Sequence, residues 1–275
     1  MWKVNKAYYL ALLLIVSNLT LFANSVDTVN IFSPSMNKYV ENVIITPNDY
    51  DQQTSFPVVY LLHGYGGNHK TWMQISPELP DLATQYGIII VCPNGKNSWY
   101  WDSPTDPSMK YETFIAKELI AYIDNNYKTV KDKKGRAITG LSMGGHGGLW
   151  LGFRHTKTFG ACGSTSGGVD IRPFPTNWEM NKILGSYREN KERWNTHTVI
   201  NQLHRIQSEA PAIIIDCGTA DFFYEVNEKL HQKLLYNQIQ HDYIVRPGEH
   251  NNAYWKNSIK YQLLFFHLFF TSKNK

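Results

Sequence analysis

The sequence predicts an α/β fold, with a mostly parallel central sheet covered by helices on both faces. Short, continuous apolar runs alternate with longer segments whose apolar residues recur at helical spacing. Such runs are typical of strands buried on both faces, and their alternation with helices is typical of parallel sheets. The 275 residues are enough for one large domain of this kind or two small ones.

The individual elements follow from these patterns. Two alternating segments, at 29–32 and 39–46, predict an opening hairpin or meander. Buried strands are expected at 57–62, 87–92, 137–141, 159–164, 212–217 and 241–246. Helices are expected at 112–127, 146–155, 223–238 and 253–270. Because ligands on such sheets bind outside the carboxyl ends of the strands, functional residues are expected in the loops that follow them.

The N-terminus has the pattern of an export signal. Lys3 and Lys6 supply a positive region, residues 8–22 are mostly apolar, and cleavage is expected near Ala23. An uncleaved anchor is the alternative, but the run is short of the ~20 residues that a membrane helix needs. We therefore expect residues 24–275 to form a single secreted or periplasmic domain, with no stable membrane insertion once the signal is removed.

Charge and cysteine content narrow the function further. The formal net charge of +4 is too weak to argue for a nucleic-acid partner. The three cysteines lie in or beside apolar strands, which favours buried free thiols; one disulfide with a spare thiol is the alternative. No cysteine spacing resembles a zinc site, and no metal is expected. The sequence gives no indication of an oligomeric state.

The segment 170–208 interrupts the alternation of strands and helices. It lacks a buried-strand run, is rich in polar residues, and carries two short helix candidates at 178–184 and 198–206. We interpret it as a small insertion that caps the cleft at the sheet edge. A solvated connection without a role is the alternative.

The most informative motif is Gly140-Leu-Ser-Met-Gly144, between a predicted strand and a predicted helix. A serine on a sharp strand–turn–helix connection is typical of a nucleophile elbow. Glycines at positions 140 and 144 remove the Cβ atoms that would clash in so tight a turn. Ser142 is therefore the candidate nucleophile.

A serine nucleophile needs a base, and the base needs an orienting group. Asp221 follows the strand at 212–217 and His250 follows the strand at 241–246, each in a loop that contains glycine. Both therefore fall on the same sheet edge as Ser142, in the order serine, acid, histidine. Asp216 is the rival acid, but it lies inside a strand, where its side chain would be buried.

The oxyanion formed by serine attack needs two backbone donors. The N–H of Met143, directly after the candidate nucleophile, is the first. The second is expected in the glycine-rich loop 63–67, where the Tyr65 N–H is the first choice and that of Gly64 the alternative. A plain tight turn without a catalytic role would also explain these glycines.

At this point the sequence resembles the esterase D branch of the α/β-hydrolases. That branch includes tributyrin, feruloyl and acetyl-xylan esterases, S-formylglutathione hydrolases and mycolyltransferases of the antigen 85 type. The motifs that carry the resemblance are Leu62-His-Gly-Tyr-Gly-Gly67, Asn97-Ser-Trp-Tyr100, Gly140-Leu-Ser-Met-Gly-Gly-His-Gly147, Ser164-Thr-Ser-Gly-Gly168, Cys217-Gly-Thr-Ala-Asp221 and Pro247-Gly-Glu-His250. It implies an α/β-hydrolase fold and a carboxylic-ester hydrolase with a Ser142, Asp221, His250 triad and no cofactor. The Asn251-Asn252 pair departs from the family pattern, at positions expected to affect substrate contacts.

Substrate contacts are expected from Trp99 and Tyr100, which follow a strand and could stack on a sugar ring or an aryl acid; packing is the alternative. Together with export, this predicts an esterase that acts on short acyl or feruloyl esters of carbohydrate. Two alternatives stay open. One is an acyltransferase of the antigen 85 type, and the other is a non-catalytic carbohydrate-binding protein on the same fold.

Overall fold

The computed structural model describes residues 25–272, so the expected export signal at 1–23 lies outside the described residues. The strands are β1 Ser25–Ser33, β2 Lys38–Thr46, β3 Val58–Leu62, β4 Ile89–Pro93, β5 Arg136–Gly140, β6 Ala161–Thr165, β7 Ala212–Gly218 and β8 Asp242–Arg246. They form one eight-stranded sheet in the order β1-β2-β4-β3-β5-β6-β7-β8. β2 pairs antiparallel with β1 and β4, and the other pairs are parallel. The predicted mostly parallel sheet is confirmed.

Every residue of β3, β4, β5 and β6 is buried, as their continuous apolar runs predict. Alternate residues of β3 enter opposite halves of the core: Val58 and Tyr60 pack into one cluster, and Val59 and Leu61 into the other. All the predicted strands are present. Their ends shift by at most two residues, except that β1 begins at Ser25 and not at 29.

The helices are α1 Thr71–Ile75, α2 Leu79–Tyr86, α3 Tyr111–Thr113, α4 Ile120–Asn126, α5 Met143–Arg154, α6 Met180–Leu184, α7 Lys191–Thr196, α8 Tyr224–Tyr236 and α9 Asn252–Ser272. A π-helical stretch, Phe114–Leu119, joins α3 to α4, so the predicted helix at 112–127 is present with a widened turn. The sequence patterns do not predict the short helices α1, α2 and α7. Within residues 25–272, no helix is long and apolar enough to span a membrane.

The segment 170–208 packs against the body of the protein. Met180, Leu184 and Trp194 are fully buried, and the Thr105 hydroxyl donates to the Ile183 carbonyl at 3.0 Å. The short helix expected at 178–184 is present as α6. The helix expected at 198–206 is wrong, because the chain forms two 3₁₀ turns there, Val199–Asn201 and Leu203–Arg205.

The three cysteines, Cys92, Cys162 and Cys217, are free and buried, which agrees with the first of the two expectations. Burial raises the pKa of the Cys92 thiol to about 12 and raises the pKa of the other two thiols as well. Across residues 25–272, no three or more His, Cys, Asp or Glu side chains are grouped so that they could hold a metal ion.

Candidate active site

Ser142 lies on the sharp turn between β5 and α5. Its backbone angles, φ 56° and ψ −116°, are strained for a residue with a side chain. A Cβ on Gly140 would lie 2.4 Å from the Leu62 carbonyl oxygen, and a Cβ on Gly144 would lie 2.3 Å from the same atom. Only glycine fits at these two positions, because the turn is pressed against the end of β3.

Three side chains that are far apart in the sequence meet at this turn. His250 Nε2 lies 2.9 Å from Ser142 Oγ, and His250 Nδ1 lies 3.0 and 2.9 Å from the two carboxylate oxygens of Asp221. The Asp221 side chain is fully buried and also accepts the Phe223 N–H at 2.8 Å. Because the Nδ1–H group donates a hydrogen bond to the carboxylate, Nε2 carries no proton and is free to accept the serine proton.

The loops that carry Asp221 and His250 touch each other. They follow the adjacent parallel strands β7 and β8. A Cβ on Gly218 would lie 2.4 Å from the Gly248 carbonyl oxygen, and that oxygen accepts the Ala220 N–H at 2.9 Å. Glycine in both loops therefore permits the close approach that brings the acid to the histidine.

Asp216, the rival acid, has a different position. Its carboxylate is fully buried and accepts hydrogen bonds from the Tyr254 hydroxyl and the Arg246 guanidinium. Burial raises the pKa of this carboxyl group. The Tyr254 ring in turn lies against Gly248, where an added Cβ would be 2.3 Å from Cδ2. Asp216 therefore supports the loop of His250 from behind and does not contact the imidazole.

Among residues 25–272, no acceptor is found for the backbone N–H of Met143, the first residue of α5, or for those of Gly64 and Tyr65. The loop of Tyr65 lies directly against Ser142, since a Cβ on Gly64 would be 3.3 Å from Ser142 Cβ. Unpaired N–H groups in such a place can bind an oxyanion.

The buried ring of His63 fixes the direction of the Tyr65 N–H. Its Nε2 accepts the Gly95 N–H at 2.9 Å, so its Nδ1 carries the proton and donates to the Gly64 carbonyl at 2.7 Å. The Gly64 carbonyl and the Tyr65 N–H belong to one planar trans peptide and point in opposite directions. Holding the carbonyl therefore aims the N–H. Burial lowers the pKa of His63 to about 4, which keeps the ring neutral. The sequence showed only a histidine in a glycine-rich turn.

Trp99 and Tyr100 are 1% and 0% exposed, so the expected substrate contact is wrong for both. Trp99 packs against the rings of Trp101 and His146. The Tyr100 hydroxyl donates to the His63 carbonyl at 3.0 Å and thereby supports the loop 63–67. Both residues have a positive backbone φ, 55° and 60°.

The open space beside Ser142 is a cavity of about 270 Å³, lined by Gly64, Tyr65, Gly66, Gly67, Thr71, Ile75, Leu141, Ser142, Asn252 and Trp255. Asn252 belongs to the pair at which the sequence departs from the family pattern. On the other side of the histidine, Phe222 is 51% exposed, with its ring centroid 4.2 Å from that of His250. A larger cavity of about 530 Å³ lies near the C-terminal end of α5, around Trp150 and Arg154, and does not include Ser142.

Phe222 and its stacking partner Trp178 were not anticipated as site residues. In the sequence, the feature that points to Phe222 is the pair of phenylalanines directly after Asp221. Trp178 lies in the 170–208 segment, and the sequence does not show where that segment docks.

A serine on a nucleophile elbow, above a mostly parallel sheet and beside a histidine–aspartate pair, defines the class of α/β-hydrolase-fold serine hydrolases. The family model described as "Putative esterase" matches residues 33–266, and the chain belongs to that family. The protein is a serine esterase, a carboxylic-ester hydrolase.

Known proteins resemble the chain over most of its length. It is 24% identical to an acetyl esterase of Caldicellulosiruptor saccharolyticus, over 84% of this chain and 94% of that protein. The solved structure of a ferulic acid esterase superposes with a TM-score of 0.77 at 28% identity, covering 90% of this chain and 99% of that one. The fluorophosphonate-binding serine hydrolase F of Staphylococcus aureus has the same fold, with a TM-score of 0.80 at 21% identity. The match covers 89% of this chain and 98% of that one.

Proposed function

We propose that this esterase acts through a Ser142–His250–Asp221 triad and an acyl-enzyme. His250 takes the Ser142 proton as Oγ attacks the ester carbonyl, and Asp221 holds the imidazole in the productive tautomer. The N–H groups of Met143 and Tyr65 bind the oxyanion, and the alcohol leaves with the proton from His250. His250 then activates the water that releases the acid. The observation that carries this proposal is the 2.9 Å contact between His250 Nε2 and Ser142 Oγ.

The proposed substrates are short acyl or feruloyl esters of carbohydrate. The cavity of about 270 Å³ beside Ser142 is slightly smaller than the roughly 300–1,000 Å³ of most ligand pockets, which suits a short acyl group. Phe222 and Trp178 offer an aromatic surface next to the histidine for a larger aryl acid or a sugar ring. The names of the acetyl esterase and the ferulic acid esterase described above point in the same direction.

Export completes the proposal, because polymeric carbohydrate esters are found outside the cell. It is supported by the charge and apolar pattern of residues 1–23. N-terminal sequencing of the protein recovered from culture medium or periplasm tests it, with a first residue near Asn24 expected. A full-length chain that stays in the membrane fraction would contradict it.

The catalytic proposal is tested with acetyl, butyryl and feruloyl esters, and with acetylated xylan. Wild type should hydrolyse at least the short acyl esters, and Ser142→Ala should lower kcat on the order of 10⁶-fold. Ser208→Ala, an exposed serine in the same segment as the two 3₁₀ turns, is the matched control and should behave as wild type. A serine-reactive phosphonate should label wild type and Ser208→Ala, and labelling that persists in Ser142→Ala would exclude the assigned nucleophile.

Hydrolysis and acyl transfer share the acyl-enzyme and differ only in whether water or a sugar hydroxyl accepts the acyl group. The same assay with an added sugar acceptor therefore separates them. Free acid should remain the main product when a sugar acceptor is added. An acylated sugar as the main product would replace the proposed hydrolysis with acyl transfer.

A further inference from the structure

One side-chain hydrogen bond connects the oxyanion loop 63–67 to the 170–208 segment, and another connects the loop to Asn97. The Tyr65 hydroxyl donates to Glu179 Oε2 at 2.9 Å, and the Gly66 N–H donates to Asn97 Oδ1 at 2.8 Å. Tyr65 is also the residue whose N–H is proposed to bind the oxyanion. Its peptide is held from within by His63, and its side chain is held from outside by Glu179.

The Glu179 carboxylate has two hydrogen-bond partners. One carboxylate oxygen accepts the Tyr65 hydroxyl, and the other accepts the Lys182 ammonium, three residues later in the chain. The hydrogen bonds from Lys182 and Tyr65 hold the pKa of Glu179 below its usual value. The acceptor for Tyr65 therefore stays ionised through neutral and mildly acidic pH.

The backbone at Glu179 is strained. Trp178 and Glu179 have φ values of 49° and 56°, so two consecutive residues with side chains occupy the left-handed region. Such residues persist only where the surrounding structure over-determines them, and they cluster at active sites. The Trp178 ring stacks on Phe222, with centroids 5.7 Å apart, and Phe222 lies against His250. This dipeptide therefore contacts the oxyanion loop with one side chain and the neighbour of the proposed base with the other.

We propose that Glu179 is a positioning residue, which holds Tyr65 so that its N–H points at the oxyanion. The inference rests on the proposed function, because it takes the Tyr65 N–H as a donor. It makes the 170–208 segment part of the catalytic geometry and not merely a cover over the cleft. Because the oxyanion develops only in the transition state, a misplaced donor should lower kcat and leave KM nearly unchanged.

The test measures kcat and KM of Glu179→Ala, Tyr65→Phe and the double variant on a short acyl ester. Tyr65→Phe removes the hydroxyl and leaves the backbone N–H in place. Each single variant should lower kcat about 10-fold, below the ~10²–10³ that follows complete loss of an oxyanion donor. The double variant should lower kcat no further than either single one, because both remove the same hydrogen bond.

Two variants distinguish positioning from general packing. Glu179→Gln replaces the carboxylate by an amide whose oxygen can still accept the Tyr65 hydroxyl, so this variant should retain most of the wild-type kcat. Lys182→Ala removes the ion pair but leaves the hydrogen bond to Tyr65, and should also retain it. Thermal unfolding should give all variants midpoints near that of wild type.

Three results would overturn the inference: a Glu179→Ala kcat within twofold of wild type, an effect on KM alone, or multiplicative losses in the double variant. With any of these three results, the proposed function still holds if wild type is active and Ser142→Ala is inactive. If wild type hydrolyses none of the esters, or if Ser142→Ala is as active as wild type, the proposed function itself fails.

Discussion

Gly144→Ala should be far more harmful to catalysis than to folding. The added Cβ would lie 2.3 Å from the Leu62 carbonyl oxygen and 2.7 Å from that of His63, and both are backbone atoms. An ordinary carbon–oxygen contact is about 3.3 Å, so the first turn of α5 and the end of β3 must separate by about 1 Å. That movement would displace Ser142 from the oxyanion loop.

A misplacement of about 1 Å near the reacting atoms can lower the rate about 10²-fold, or about 2.7 kcal/mol in activation free energy. The effect on stability should be smaller. Overpacking lowers the free energy of unfolding by about 1–3 kcal/mol, whereas replacing glycine by alanine inside a helix raises it by up to about 1 kcal/mol. We therefore expect a loss of about 10² in kcat/KM with a modestly lowered unfolding midpoint.

Gly152→Ala is the matched control on the same helix. Its Cβ would lie 2.4 Å from Cys162 Cβ, so it introduces a comparable clash, but about 15 Å along the helix from Ser142. Its kcat/KM should stay within about threefold of wild type, whatever its unfolding midpoint. Equal losses of activity in Gly144→Ala and Gly152→Ala, or a fully active Gly144→Ala, would refute the reasoning.

Three further predictions follow from buried titratable groups. Burial lowers the pKa of His63 to about 4 and that of His146 to about 3, so both stay neutral in the fold while the unfolded chain takes up protons below about pH 6.5. The unfolding free energy should therefore fall as pH drops from 6.5 towards 4, by up to about 3 kcal/mol from His63 alone, in pH-dependent denaturant titrations; a flat profile would contradict this. Asp221→Asn should lower kcat about 10⁴-fold without loss of fold, by analogy with triads whose histidine tautomer is no longer fixed; near-normal kinetics would exclude the assigned acid. The three buried thiols should react with a thiol reagent only after unfolding, and rapid labelling of the native protein would show that they are accessible.

The sequence predicted the elements that obey a local rule. Asp221 and His250 could be selected because each follows a buried strand, and parallel strands bring the loops at their carboxyl ends to one edge. The elbow could be selected because glycines flank Ser142 between a strand and a helix. The structure brings these side chains together: His250 Nε2 lies 2.9 Å from Ser142 Oγ, and His250 Nδ1 lies 2.9 Å from the nearer carboxylate oxygen of Asp221.

What the sequence could not predict depends on contacts between distant segments. Trp99 and Tyr100 follow a strand, as cleft residues do, but their side chains are buried in the core and their backbones have positive φ. Glu179 lies 114 residues from Tyr65, and nothing local shows that the two meet. The segment at 198–206 has helical spacing, yet it forms two 3₁₀ turns, with the buried Gln202 between them donating to the Thr196 carbonyl.

The carbonyl groups at the end of β3 hold both the turn that carries Ser142 and the loop 63–67. The Leu62 carbonyl accepts the N–H of Leu141, the residue before Ser142, at 3.2 Å, and the Trp72 indole N–H at 2.8 Å. The next carbonyl, that of His63, accepts the Tyr100 hydroxyl, and the His63 ring holds the peptide of the proposed oxyanion donor. The elbow and the loop 63–67 are therefore fixed to two consecutive residues, the last residue of β3 and the residue that follows it. Their separation is set by the backbone of β3, whereas the outer wall of the site depends on how the 170–208 segment docks.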